Sequence, residues 1–226
     1  GGWAGGVGRS GAHRQERKRA QGDAWMNVIF QDFGWLPDNK MRWYLSEESG
    51  YSHLYALNGN TRTQLTDGRW EASAVQVSRD GSSFYFLCNR EQPGDYEVCN
   101  VPARGGKVRE VTSLDGVENF NLSPDGSKLL VRHSSAYVPP QLAVVDVDGG
   151  NLHELTDTRT AAYKARSWIM PKTVQVPSKH GAGTIWGKLY TPEKMDAGHK
   201  YPIVMFVHCA GYLQNVSARY PAYFRE

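Results

Sequence analysis

Residues 122–126 read Leu-Ser-Pro-Asp-Gly and lead into a strand-like run at residues 128–133, Lys-Leu-Leu-Val-Arg-His. Asp-Gly supplies the positive φ and the side-chain-to-backbone hydrogen bonds that a tight reversal between antiparallel strands requires. Related turns occur at residues 77–81 (Val-Ser-Arg-Asp-Gly) and 35–39 (Trp-Leu-Pro-Asp-Asn), each before another strand-like run. Their aspartates are 42 and 45 residues apart. The turn is therefore one part of a repeat.

Each copy of the repeat contains a further strand signal, at residues 53–57, 96–101 or 141–147. Each copy then closes on a Leu-Thr or Val-Thr pair, and these pairs are spaced 46 and 44 residues apart. A repeat of this length with about four strands is typical of one blade of a β-propeller, in which each sheet buries its faces against its neighbours. We therefore predict a mostly β fold, with a partial propeller of about three four-stranded blades over residues 24–160.

The pattern changes near residue 161. Residues 161–170 read as a connector, and residues 173–176 with 184–190 predict a hairpin. Residues 203–207, Ile-Val-Met-Phe-Val, form an unbroken apolar run, which is typical of a strand buried on both faces of an α/β sheet. The sequence therefore predicts that residues 161–226 are a connector and the first strands of a second, α/β domain.

Residues 1–23 differ in composition from the rest of the chain. Five of the first eight residues are glycine, and the segment holds five basic against two acidic residues, so 5 − 2 = +3 equals the whole formal charge. We expect a disordered leader, and it lacks the apolar stretch of a secretory signal. The remaining residues are electrically balanced and offer no basic face for nucleic acid. No apolar run approaches the roughly 20 residues of a membrane-spanning helix.

The chain has three cysteines, Cys88, Cys99 and Cys209, at spacings that match no zinc or redox motif. Cys88 and Cys99 lie in strand-like runs, eleven residues apart. They could form a disulfide across a hairpin, or they could be small apolar core residues. We expect neither a cofactor nor a bound metal, and the compartment stays open between periplasm and cytoplasm.

The apolar run ends in His208, Cys209, Ala210, Gly211 and Tyr212. This turn resembles the oxyanion loop of α/β-hydrolases, in which a strand leads into His-Gly-Gly or His-Gly-Ala-Gly. With the blades and the Gly-Lys-Leu-Tyr-Thr-Pro stretch at 187–192, the chain resembles the prolyl oligopeptidase family of serine peptidases, and within it the bacterial dipeptidyl peptidase IV-like branch. The likeness covers about residues 24–226, and residues 46–55 and 207–215 are its most distinctive stretches.

The resemblance implies a serine-type peptidase that hydrolyses short peptides, often after proline, behind a propeller that screens its site. The implied partner is a peptide substrate, and complete members of the family often form dimers. The family's nucleophile lies in a Gly-x-Ser-x-Gly turn and is followed by Asp and His. The sequence contains no Gly-x-Ser-x-Gly. We therefore expect an internal fragment of a longer enzyme, without the catalytic triad and inactive by itself.

The resemblance also assigns roles to single residues. In the family the turn after this strand supplies an oxyanion donor, which is a Tyr hydroxyl in many members and main-chain N–H groups in others. Cys209 stands where the His-Gly-Ala-Gly form has glycine, and a thiol adds bulk and only a weak donor to a site that contributes about 3 to 4 kcal/mol per donor. His208 is expected to brace the turn, because the catalytic base follows the nucleophile in this fold. Dipeptidyl peptidases hold the substrate amine with two glutamates, but we expect Glu47 and Glu48 to be solvated carboxylates at a blade reversal.

Three other residues of the first repeat are expected to pack inside their blade: Trp43, Tyr51 and His53. The alternative function is a non-enzymatic propeller of the TolB type, a periplasmic interaction module with the same Ser-Pro-Asp-Gly blades, since one scaffold hosts both uses. The apolar run and its His-Cys-Ala-Gly turn favour the peptidase.

Overall fold

The computed structural model of the protein describes residues 32–181, 183–207 and 214–221, and the backbone of Trp3–Val7 and Arg14–Arg19. Strand β1 (Trp3–Val7) pairs antiparallel with β2 (Arg14–Arg19). Main-chain hydrogen bonds hold such a pair without an apolar face, and hydrophobic periodicity, the signal that finds strands in a sequence, is weak here. The structure thus places a two-stranded hairpin where the sequence analysis expects disorder.

Three four-stranded antiparallel sheets follow, each made of consecutive strands in chain order. The first consists of β3 (Phe33–Trp35), β4 (Met41–Ser46), β5 (His53–Asn58) and β6 (Thr61–Gln64). The second consists of β7 (Ala72–Val77), β8 (Ser83–Cys88), β9 (Glu97–Pro102) and β10 (Arg109–Glu110). The third consists of β11 (Val117–Leu122), β12 (Lys128–Ser135), β13 (Val138–Asp146) and β14 (His153–Glu154). The predicted propeller-type blades are confirmed.

The same turn joins the first two strands of each four-stranded sheet. In each case a main-chain N–H donates to a carbonyl five residues later, with 2.8–2.9 Å between nitrogen and oxygen: Leu36 to Met41, Ser78 to Ser83, Ser123 to Lys128. Gly81 and Gly126 have φ of 71° and 76°, which glycine adopts freely, and Asn39 takes φ 56° in the first sheet. Hydrogen bonds from hydroxyl and amide groups lower the pKa of Asp80 to about 2. The Asp-Gly turns are therefore structural, as predicted.

The described chain divides into two compact units. The first comprises Gly1–Arg90, Val98–Val111 and Pro124–Gly126, and the second comprises Glu91–Glu97, Thr112–Ser123 and Ser127–Glu226. The first unit therefore holds the first two sheets except Glu97, and the second unit holds the third sheet and all later residues.

Aromatic side chains fill the core of the first unit. Trp43 of the first sheet meets Phe84 of the second edge-on, with 6.0 Å between ring centroids, and Trp70 stacks on Phe86 at 6.2 Å. Phe84 and Phe86 are fully buried, and Trp43 is nearly so, which confirms its predicted packing role. Truncating such a side chain to alanine costs about 3–5 kcal/mol, so these rings contribute strongly to the stability of the first unit.

The third sheet alternates between its faces with a period of two residues. Leu129 and Val131 are buried, whereas Lys128, Leu130 and Arg132 are exposed. This is the pattern of an antiparallel strand with one face in a core.

Two short elements follow the third sheet. Helix α1 (Ala161–Lys164) is capped by the Thr160 hydroxyl, and β15 (Lys172–Pro177) pairs with β16 (Thr184–Leu189), which confirms the predicted hairpin. In the part of the chain that the structure describes, no helix is long and apolar enough to cross a membrane.

Residues 203–207 form no strand, and their exposures run from 58% to 96%. The predicted buried strand is wrong for this structure. A central strand is held by hydrogen bonds to neighbours on both sides, and the described residues place no strand beside this run.

Candidate functional site

The residues predicted to form the oxyanion loop lie outside the described residues: His208, Cys209, Ala210, Gly211, Tyr212. The structure describes the chain on both sides of them. The upstream side is the exposed run at residues 203–207, and the downstream side is residues 214–221, which we call the strap.

The strap is held within the second unit by hydrogen bonds that its main-chain N–H groups donate. The Ala218 N–H donates to the carbonyl of Gly94 over 2.9 Å, and the Tyr220 N–H donates to the Ser134 hydroxyl over 3.0 Å. Gly94 lies in the loop before β9, and Ser134 lies in β12. The strap therefore contacts two separate parts of the blades, and each hydrogen bond contributes about 1 kcal/mol.

The first residue of the strap is held by its side chain. The Gln214 amide nitrogen donates to the Pro93 carbonyl over 2.6 Å, and the Gln214 amide oxygen accepts from the Tyr96 hydroxyl over 3.3 Å. The chain is thus fixed two residues after Tyr212, the last predicted loop residue.

A small cavity lies where the strap, the loop before β9 and the β15–β16 hairpin meet. Its volume is about 20 Å³, and it is lined by Gln92, Gly94, Thr173, Trp186, Val216, Ser217 and Ala218. A water molecule needs about 10–15 Å³ by this measure, so the cavity has room for water and not for a peptide side chain.

The two glutamates of the blade reversal do not form one carboxylate site. Glu48 is exposed and pairs with Arg62 over 2.6 Å, an ion pair that contributes about 1 kcal/mol or less because water screens it. Glu47 is half-buried and faces Glu71, whose pKa is raised by burial and, to a smaller degree, by the Glu47 charge. The prediction of a solvated carboxylate is confirmed for Glu48, and Glu47 is only partly exposed.

His53 is buried and fully engaged, so its predicted packing role is confirmed. Its Nε2 lies 3.0 Å from the Gly68 carbonyl, and its Nδ1 lies 3.1 Å from the Thr66 hydroxyl. Because a carbonyl only accepts, Nε2 carries the proton, and neutral Nδ1 accepts from Thr66. The Thr66 oxygen in turn accepts from the Leu54 N–H over 2.9 Å. Tyr51 is half-buried.

In the first sheet, the side chain at the start of β5 is hydrogen-bonded to the threonine after β6, and we call this pairing the polar bracket. The other two sheets contain the same pairing, which sequence reasoning missed. Glu97 accepts from the Thr112 hydroxyl and, over 2.7 Å, from the Leu114 N–H. Gln141 accepts from the Thr156 hydroxyl and the Thr158 N–H over 2.9 and 3.0 Å. His53, Glu97 and Gln141 follow one another at a spacing of 44 residues, and this spacing was the sequence signal for the bracket. Their different side chains, His, Glu and Gln, concealed it.

The two cysteines of the second sheet form a disulfide. Cys88 and Cys99 have Cα atoms 5.9 Å apart and are fully buried, so the disulfide and the core location proposed as alternatives are both present. The Glu110 carboxylate lies within 4.8 Å of both sulfur atoms. A disulfide sulfur has no thiolate charge to bind a cation, so this group is not a metal site while the bond is intact.

Three of the described histidines have side-chain partners in the structure. His53 is bound to Thr66 and Gly68, His133 faces Glu154 at 3.0 Å, and the ring of His199 lies 3.7 Å from Asp196. Of these three pairs, only His53–Thr66 joins an imidazole to a hydroxyl, and both residues are buried.

Antiparallel four-stranded blades of the propeller type, followed by a connector and a hairpin, define the class of fold. The family model for the "Dipeptidyl peptidase IV (DPP IV) N-terminal region" matches residues 9–140. The chain belongs to this family. The match begins at residue 9, within residues 1–23, over which no likeness was predicted.

Relatives with known names agree with this family. Dipeptidyl-aminopeptidase B of Aspergillus niger is 20% identical over an alignment 226 residues long. The alignment covers 88% of this chain and 25% of the relative. A probable dipeptidyl-aminopeptidase B from a second strain of that species gives the same values. The crystal structure of Porphyromonas gingivalis dipeptidyl peptidase 4 superimposes with a TM-score of 0.66 at 19% identity, over 80% of this chain and 26% of that one. The chain spans about a quarter of the length of each.

Proposed function

We propose that the chain is the last part of the propeller and the beginning of the α/β-hydrolase domain of a serine peptidase of the dipeptidyl or oligopeptidase type. The similarity to the dipeptidyl-aminopeptidases carries this proposal, because it covers 88% of the chain and therefore extends past the three blades. A TolB-like interaction propeller would account for the blades alone. In this proposal the propeller occupies residues 24–160, and the connector and hydrolase start occupy residues 161–226.

The proposed substrate is a short peptide, and the blades restrict access to it. Main-chain N–H groups of residues 208–212 would donate to the oxyanion that forms when a peptide carbonyl is attacked. The nucleophile, acid and base of the family motif would come from the three quarters of the relatives that this chain does not match. The buried disulfide favours an oxidising compartment, since cytosolic thiols are kept reduced.

The test compares the 226-residue chain with the longest product of its gene. Both are assayed on a dipeptidyl nitroanilide with proline in the second position, with and without a serine-reactive phosphonate. We expect phosphonate-sensitive hydrolysis by the longer product and no hydrolysis above buffer by the 226-residue chain. The reason is the missing nucleophile.

Two results would contradict the proposal. A longer product that is folded and does not hydrolyse the substrate would favour the interaction module. Phosphonate-sensitive turnover by the 226-residue chain would show that a nucleophile is present within it.

A further inference from the structure

The strap approaches the loop before β9 more closely than a side chain would allow. A Cβ atom added to Gly94 would lie 3.0 Å from the Cα of Ser217 and closer still to the Val216 carbonyl oxygen. Gly94 is not among the glycines with positive φ, so its backbone would accept alanine. Space for the strap is therefore a structural reason for glycine at this position.

Arg219 joins the strap to two parts of the second unit at once. Its guanidinium carbon lies 4.9 Å from the centre of the Tyr96 ring, and its Nη2 donates to the Val117 carbonyl over 2.9 Å. Tyr96 precedes β9, and Val117 is the first residue of β11. A planar guanidinium can stack on a ring and donate in its own plane together, whereas a lysine ammonium cannot do both in this geometry.

We propose that Arg219 and Gly94 form a latch that fastens the strap to the blades. Gly94 leaves space for the strap to approach the loop before β9, and the Arg219 guanidinium holds it there through Tyr96 and Val117. Loss of either contact should release residues 214–221 while the blades stay folded.

The latch is tested on the 226-residue chain by trypsin, which cuts after Arg219 only when the strap is released. Gly94→Ala is expected to raise the rate of this cut about tenfold, the effect of losing one or two hydrogen bonds and the ring contact. Gly198→Ala is the matched control, since a Cβ there meets nothing within 4 Å. Arg219→Lys keeps a trypsin site and is also expected to be cut faster. Mass spectrometry identifies each cut.

Cleavage after residues 128 and 132 in β12 reports on general unfolding. Equal rates of the Arg219 cut in Gly94→Ala and Gly198→Ala would overturn the latch. A faster cut accompanied by an equal increase in β12 would overturn it as well, because the blade itself would then be unfolding.

Discussion

The imidazole Nδ1 of His53 lies 3.1 Å from the hydroxyl oxygen of Thr66, and both residues are only 1% exposed. His53 begins β5, and Thr66 follows β6, so this bond ties the outer edge of the first sheet to its interior. The Thr66 hydroxyl also satisfies the main-chain N–H of Leu54. A buried N–H without a partner is costly, and here one hydroxyl provides a partner for both the His53 side chain and the Leu54 main chain.

Thr66→Val is expected to lower the free energy of unfolding of the first unit by about 1–3 kcal/mol, because Leu54 and His53 each lose a partner at almost constant side-chain volume. Urea unfolding followed by tryptophan fluorescence measures the change. Thr63→Val, on the exposed β6, is the control and should change stability by about 0.5 kcal/mol or less. Equal stability of the two variants would mean that the bracket is unimportant.

Acid should weaken the first sheet through His53. Burial lowers the pKa of His53 below its ordinary value of about 6.5. The unfolded chain then binds the imidazole proton more tightly than the folded chain does. The contribution of His53 to the free energy of unfolding is therefore complete above about pH 6.5, and it is lost as the pH falls from there towards the folded-state pKa.

His53→Gln replaces the titrating imidazole of the first sheet with the uncharged amide that Gln141 provides at the corresponding position of the third sheet. We expect stability at pH 7.5 within about 1 kcal/mol of wild type and a smaller loss between pH 7 and pH 5. Thermal unfolding across this range tests the prediction. Identical pH profiles would place the acid sensitivity elsewhere.

Glu71 should destabilise the protein at neutral pH. Burial raises the pKa of Glu71 and the Glu47 charge adds to this, so the folded state binds the proton more tightly than the unfolded chain. The contribution of protonated Glu71 to the free energy of unfolding is complete below the ordinary glutamate pKa of about 4.3. It is lost as the pH rises through the raised pKa. Glu71→Gln should therefore be more stable than wild type at pH 7 and equal to it near pH 4. Greater stability at both pH values would contradict this linkage.

Reducing the Cys88–Cys99 disulfide should lower the free energy of unfolding by about 2–4 kcal/mol, because the bond limits the unfolded chain. Unfolding midpoints with and without reductant measure the loss. Cys209→Ser lacks the third thiol and should show the same dependence on reductant, which excludes an effect through Cys209. A midpoint that ignores reductant would mean that the bond does not form.

In an active longer product, Cys209→Gly is expected to raise kcat with little change in stability. Glycine leaves room for an oxyanion to approach main-chain N–H groups where a thiol does not. Steady-state kinetics on the dipeptidyl nitroanilide give the result, and Cys209→Ala is the control for loss of the thiol alone. Unchanged or reduced turnover would place Cys209 outside the oxyanion loop.

The sequence by itself determined the blades. The turns before β4, β8 and β12, the repeat of about 44 residues and the hairpin after the connector follow from local chemistry, because a tight reversal needs Asp-Gly or Asn wherever it occurs. Short-range periodicity reports such structure directly, so most predicted strands agree with the observed ones to within a few residues.

Only the tertiary structure decided which distant groups meet. It paired His53 with Thr66 and placed Arg219 on Tyr96, and it joined Cys88 to Cys99, a pairing that their spacing allowed but did not decide. It also left residues 203–207 outside any sheet, although their composition is that of a buried strand. An apolar run records a preference for burial, whereas a strand forms only where neighbouring strands supply its hydrogen bonds.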